Sequence, residues 1–284
     1  MFSRLLKYEW KATAGTLGIL SAAMLGLSVM DCVILRFLLS DAGQQLSLSE
    51  VPQWLLGTAL RLILVFSAIA LALYFTAVVV LLLYRFYRNK FTDEGYLTFT
   101  LPVRPAQIVG ASMVNMLLWM LIAAVVVVAS VAIAVVLGVF GDEALREEVL
   151  YTLREILPVL GEQLGDFSET IGSAYPVLTL LRTVLMPLYA VLVPMACITA
   201  GAAVAKKHKI LAAFGIYYGV NFVVNLITST MSMLPLLPIA RYTDDSLRTA
   251  MTVTALVQLL VTAAITAGAW FFTTGTMKRR LNLP

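Results

Sequence analysis

The side chains best suited to chemistry are few: one histidine, two cysteines, and three asparagines set within apolar runs. His208 stands in Lys206-Lys207-His208-Lys209, a basic cluster typical of a membrane edge. It has neither a serine or cysteine to activate nor companions at metal-ligand spacing. Cys32 and Cys197 fall in separate apolar runs and read as small buried apolar residues. No glycine is followed by lysine, so the chain has no G-x-x-x-x-G-K-[ST] phosphate cradle and is not expected to be an enzyme that hydrolyses ATP. Asn221 and Asn225 form an i, i+4 pair on one helical face, and Asn115 lies in the inner half of another run. An amide in lipid is unfavourable without a partner, so these side chains point at a neighbouring helix, a partner copy or a translocation path. Asn115 suits a bond across helices. Pro187 and Pro194 lie within a fourth apolar run, where each removes a backbone hydrogen bond and can bend the helix for packing or gating.

What positions these residues is a set of long apolar runs. The 284 residues are 61% hydrophobic and 13% charged, with a mean hydropathy of +0.92. A soluble domain carries about twice that share of charge. The composition is that of an all-α integral membrane protein, a single transmembrane domain over 1–284. Six spans are predicted, at 13–39, 55–84, 108–140, 176–205, 210–231 and 249–274. A short amphipathic segment at 2–11 precedes them, with Phe2, Leu5, Leu6 and Trp10 on one face and Arg4, Lys7 and Lys11 on the other. It is expected to lie in the headgroup layer. The first apolar run is too long for a cleavable signal and reads as a retained span. Asp31 and Arg36 fall in its outer third.

The net charge of +4 is segregated. Arg4, Lys7, Lys11, Arg85, Arg88, Lys90, Arg104, Lys206, Lys207, Lys209, Lys278, Arg279 and Arg280 all fall on one side of the predicted bilayer, thirteen of the 20 basic residues. The positive-inside rule puts that side, and both termini, in the cytoplasm of a plasma-membrane protein. The clusters make no continuous basic face, which argues against nucleic acid as a partner.

The opposite side carries the long acidic stretch 141–175. Leu145, Val149, Leu150, Leu153, Ile156, Leu157 and Leu160 recur in it at helical spacing, predicting a helix over 142–157 that breaks near Pro158. Its R-E-E-V-L-Y-T-L-R run, Arg146 to Arg154, pairs glutamates with an arginine as some membrane-embedded proteases do. The gap is too long for that motif, and no span carries a histidine. Pro235 and Pro238 interrupt the apolar run after the fifth span, predicting a short re-entrant or interfacial piece.

The junction at 85–105 is both basic and aromatic. Arg85, Arg88 and Lys90 close one span, and Thr92 or Asp93 is placed to cap a short helix. Tyr96, Leu97, Phe99 and Leu101 give that helix an apolar face, and Pro105 suits the first turn of the next span. The run D-E-G-Y-L-T-F-T-L-P-V, Asp93 to Val103, resembles one in ABC transporter permeases of the type-two export class. There it lies on the cytoplasmic connection between spans two and three, the coupling helix that docks on an ATPase subunit. The resemblance is local, and beyond it the chain agrees in layout only. It implies an exporter subunit that forms the translocation path with a second permease, as homodimer or heterodimer, with ATP and Mg held by separate ATPase subunits and no cofactor on this chain. It assigns the ATPase contact to Asp93, Glu94, Tyr96, Leu97, Phe99 and Leu101, and the 2–11 segment to an elbow helix. Its cargo class would be a peptide, an antibiotic or another lipophilic compound. The competing implication is a non-transporting partner of such an ATPase in signalling or antibiotic immunity. A secondary carrier ranks below both, because no span carries a central acidic cluster.

Overall fold

The computed structural model describes residues 2–39, 53–92, 95, 103–139, 143–205, 207–233 and 244–279. Its elements are α1 (Phe2–Leu39), α2 (Gln53–Phe91), α3 (Pro105–Val139), α4 (Glu143–Ile171), α5 (Ala174–Val204), α6 (Lys209–Met233) and α7 (Asp244–Arg279). No strand occurs among the described residues. All of these helices except α4 contain a stretch long and apolar enough to cross a membrane, six in total. Bulky apolar side chains such as Phe66, Val128, Leu211 and Phe271 stand exposed along them. Water would penalise such surfaces, whereas hydrocarbon accommodates them.

Several helices outrun the apolar stretches that predict them. α1 is one unbroken helix of 38 residues, so the segment at 2–11 is not separate from the first span. At 1.5 Å per residue it is about 57 Å long, against about 30 Å of bilayer hydrocarbon. The polar first turns therefore have room in the headgroup layer without a break. Thr13 sits at the expected junction and bends its hydroxyl back to the carbonyls of Glu9 and Trp10, each at 3.0 Å. α2 likewise continues through Arg85, Arg88 and Lys90 to Phe91. α4 runs uninterrupted through Pro158, contrary to the expected break. The proline removes one donor and frees the Arg154 carbonyl. Residues 151–163 are exposed, so water can take that carbonyl and the helix persists.

The chain forms two compact units. One comprises residues 1–5, 83–117 and 158–284. Here α5 packs against both α6 and α7. Leu192, Val193, Cys197 and Ala269 form a buried core, with Met113, Ile216, Tyr217, Ile265 and Trp270 around it. α5 and α6 meet closely at their basic ends. A methyl group on Gly201 would come within 2.6 Å of the Ala213 nitrogen and 2.8 Å of the Lys209 carbonyl oxygen, so only glycine fits there. The Phe2 and Trp270 rings both lie against Gly110. Gly172, with φ of 80°, turns the chain between α4 and α5.

The other unit comprises residues 6–82 and 118–157. Polar links between its helices help to hold it. The Trp119 indole N–H donates to the Thr13 hydroxyl at 2.8 Å, while the Trp10 and Trp119 rings stack with centroids 4.9 Å apart. Deeper along α1, the Ser21 and Tyr74 hydroxyls share a hydrogen bond of 2.7 Å. Trp119 and Thr13 are both buried, so loss of the acceptor strands a buried donor. Thr13→Val should cost about 1–2 kcal/mol and Thr13→Ser far less. Thermal unfolding in mild detergent checks this: the valine variant melts lower than wild type, the serine variant melts close to it, and a Trp119→Phe background removes the difference.

Candidate functional site

Two places gather polar side chains against the apolar background. The first is the junction between α2 and α3. Phe91 ends α2 buried, with its ring against Phe86 at 5.9 Å and Tyr87 at 6.4 Å between centroids. The Thr92 hydroxyl donates back to the Arg88 carbonyl at 2.5 Å, at the end of α2. The Gly95 amide then donates to the Thr92 carbonyl at 2.8 Å. A Cβ on Gly95 would lie 2.7 Å from the Lys90 carbonyl oxygen, so this close approach needs glycine. α3 starts at Pro105. Asp93, Glu94, Tyr96, Leu97, Phe99 and Leu101 lie outside the described residues.

The second place is a cleft formed by α5, α6 and α7. It has a volume of about 440 Å3 and is lined by Arg182, Phe222, Asn225, Leu226, Thr228, Ser229 and Gln258. Helix geometry explains why these residues meet. Arg182 lies eight residues in from Ala174, and Asn225 eight residues in from Met233, each about 12 Å along its helix. Gln258 lies ten residues in from Arg248, where the apolar stretch of α7 begins, about 15 Å along. Alternate helices run in opposite directions, so these depths coincide. The Arg182 guanidinium donates through Nη1 to Gln258 Oε1 at 2.5 Å. Its Nε is buried and has no hydrogen-bond partner. The Thr228 and Ser229 hydroxyls donate to carbonyls on their own helix, those of Val224, Asn225 and Leu226. They present little free donor capacity to the cleft.

The asparagine pair on α6 divides between two tasks. Asn221 is half-buried; its Nδ2 donates to the Tyr217 carbonyl at 2.9 Å, and its Oδ1 accepts from the Tyr189 hydroxyl at 3.4 Å. It joins α5 to α6. Asn225 is exposed and belongs to the cleft. Asn115 is buried on α3 within the same unit. α5 continues through both its prolines, with Pro187 exposed and Pro194 buried beside Val193 and Met195. In the other unit Asp31 is half-buried, with Oδ1 buried and without a partner, while Arg36 is exposed. Among the described residues no three His, Cys, Asp or Glu side chains come together as a metal site would need.

Sequence reasoning weighed Asn225 but not Arg182 or Gln258 as site residues. The available signal was an arginine and a glutamine well inside apolar runs, at depths that match once the spans are set antiparallel. Neither a family model, nor a curated protein, nor a solved structure matches this chain.

The division of the asparagines has a measurable consequence. Asn221→Leu removes a link between helices and leaves the Tyr189 hydroxyl to seek another acceptor, whereas the Asn225 side chain makes no hydrogen bond among the described residues. Thermal melting in detergent should therefore fall for Asn221→Leu, by roughly 1 kcal/mol of stability, and stay near wild type for Asn225→Leu.

Proposed function

We propose that this chain is the membrane-spanning subunit of an ATP-driven exporter of the ABC type-two class, in which a separate ATPase supplies the force. The observation that carries the reading is the junction after α2. A basic helix end there is followed by the run Asp93 to Val103, which resembles the coupling segment of that class and in which Gly95 comes too close to the Lys90 carbonyl for any side chain. Six helices of membrane-spanning length and the one-sided distribution of basic residues support it.

In this reading the 85–105 segment is cytoplasmic and works as a lever. Tyr96, Leu97, Phe99 and Leu101 fill an apolar groove on the ATPase, and Asp93 and Glu94 meet basic residues at its rim. The first turns of α1 lie among the lipid headgroups. One set of six spans supplies half of a pathway, so two permeases act together with two ATPases. ATP closes the ATPase pair, the two levers move with it, and access to the cavity passes from one side of the membrane to the other.

The test uses the tagged chain isolated from its native membranes. Wild type should retain vanadate-sensitive ATPase activity through purification. Phe99→Asp or Glu94→Arg should lose most of it while inserting and folding normally. A wild-type chain without associated ATPase, or variants that keep it fully, would remove the basis of the reading.

A further inference from the structure

We propose that the cleft between α5, α6 and α7 binds the oxyanion of an amphiphile, a phosphate or carboxylate group carried on an apolar body. As a binding site this rests on the cleft alone; as the cargo class of an exporter it rests on the function proposed above.

The argument begins with charge. Arg182 sits within an apolar span, and among the described residues no acidic side chain lines the cleft. A guanidinium has five N–H donors and cannot be neutralised by losing its proton. Gln258 takes one donor through a neutral oxygen, which orients the guanidinium but leaves its charge uncompensated. Nε is buried without an acceptor. Exposed arginines near a bilayer edge reach the headgroups by snorkelling. This one is tethered across to α7 instead, with part of its fork removed from solvent. A cation held in this way is stabilised most by an anion with two acceptor oxygens, for which the planar guanidinium is shaped.

The rest of the cleft selects the ligand. Asn225 adds an amide beside the arginine. Phe222 and Leu226, largely exposed, form an apolar wall on α6 that suits an alkyl or aromatic body. The volume, about 440 Å3, falls in the range of small-molecule sites. The distribution of charge disfavours a cationic ligand, because no acidic side chain is among the described lining residues. An anionic phospholipid of the bilayer and a free anionic amphiphile share the required chemistry.

The experiment is native mass spectrometry of the purified, extensively washed chain in a neutral detergent, titrated in parallel with dodecyl phosphate, dodecanol and dodecyltrimethylammonium. Dodecyl phosphate should bind at one per chain, well ahead of the other two. Gln258→Glu is nearly isosteric and places a carboxylate against Arg182. It should weaken dodecyl phosphate binding at least about tenfold, the worth of one charge-assisted hydrogen bond, while melting at or above the wild-type temperature. Arg182→Gln should show the same loss of binding, and Arg182→Lys an intermediate one. Extracts of the unwashed protein separate the sources. An anionic phospholipid retained by wild type and absent from Gln258→Glu marks the bilayer as the supplier; its absence from both marks a free amphiphile. Equal binding of dodecanol or dodecyltrimethylammonium, or unchanged dodecyl phosphate affinity in a folded Gln258→Glu protein, would overturn the proposal. None of these readings requires an ATPase, so they stand or fall apart from the recruitment test.

Discussion

Hydrocarbon offers no hydrogen-bond partners, so every backbone amide and carbonyl that enters it must be satisfied within the chain. That requirement makes the spans helical and governs how side chains behave along them. Hydroxyl groups turn back onto their own helix: Ser21 to the Leu17 carbonyl, Ser28 to Met24, Thr199 to Met195, Thr266 to Thr262 and Thr273 to Ala269. Such bonds let polar residues lie buried between helices without an external partner. The few groups that cannot be satisfied locally become the bonds between helices, as with Trp119 to Thr13 and Tyr189 to Asn221. Other buried atoms among the described residues find no partner, on Asp31, Arg85, Ser130 and Arg182, and of these four residues Arg182 lines the cleft.

The spans were legible because the same requirement leaves a plain mark, a run of apolar residues of bilayer length. Their ends were less so, because a helix need not stop where the hydrocarbon stops. α2 carries Arg85, Arg88 and Lys90 within its last turns, and α7 begins at Asp244, ahead of its apolar stretch. The fusion of 2–11 with the first span has the same origin: nothing near Thr13 breaks a helix. Pro158 misled for the opposite reason, since a proline disrupts a helix only if the freed carbonyl finds no partner. The cleft was half legible. The i, i+4 spacing put Asn221 and Asn225 on one face, but which of them meets a helix and which a cavity depends on how α5 and α7 pack beside them. The Arg182–Gln258 bond spans 76 positions and follows from the depth of each residue, not from any local pattern.

Close packing and polar recognition are separated along α5 itself. Toward its basic end, Val191 to Met195 and Gly201 are buried, and the backbones of α5 and α6 approach to the limit that glycine permits. Toward its other end the exposed residues Leu180, Leu181 and Val184 flank Arg182, which lines the cleft. Pro187 lies between the two regions.

The central claim is that the chain crosses the membrane six times with its basic connections on the cytoplasmic side. Labelling of intact cells by a membrane-impermeant maleimide tests it most directly, in a chain whose Cys32 and Cys197 are replaced by serine. Arg104 and Tyr151 are both exposed, one beside the basic junction and the other on α4. Tyr151→Cys should label in intact cells, and Arg104→Cys only after the membrane is permeabilised. Labelling of Arg104→Cys from outside intact cells would contradict the account.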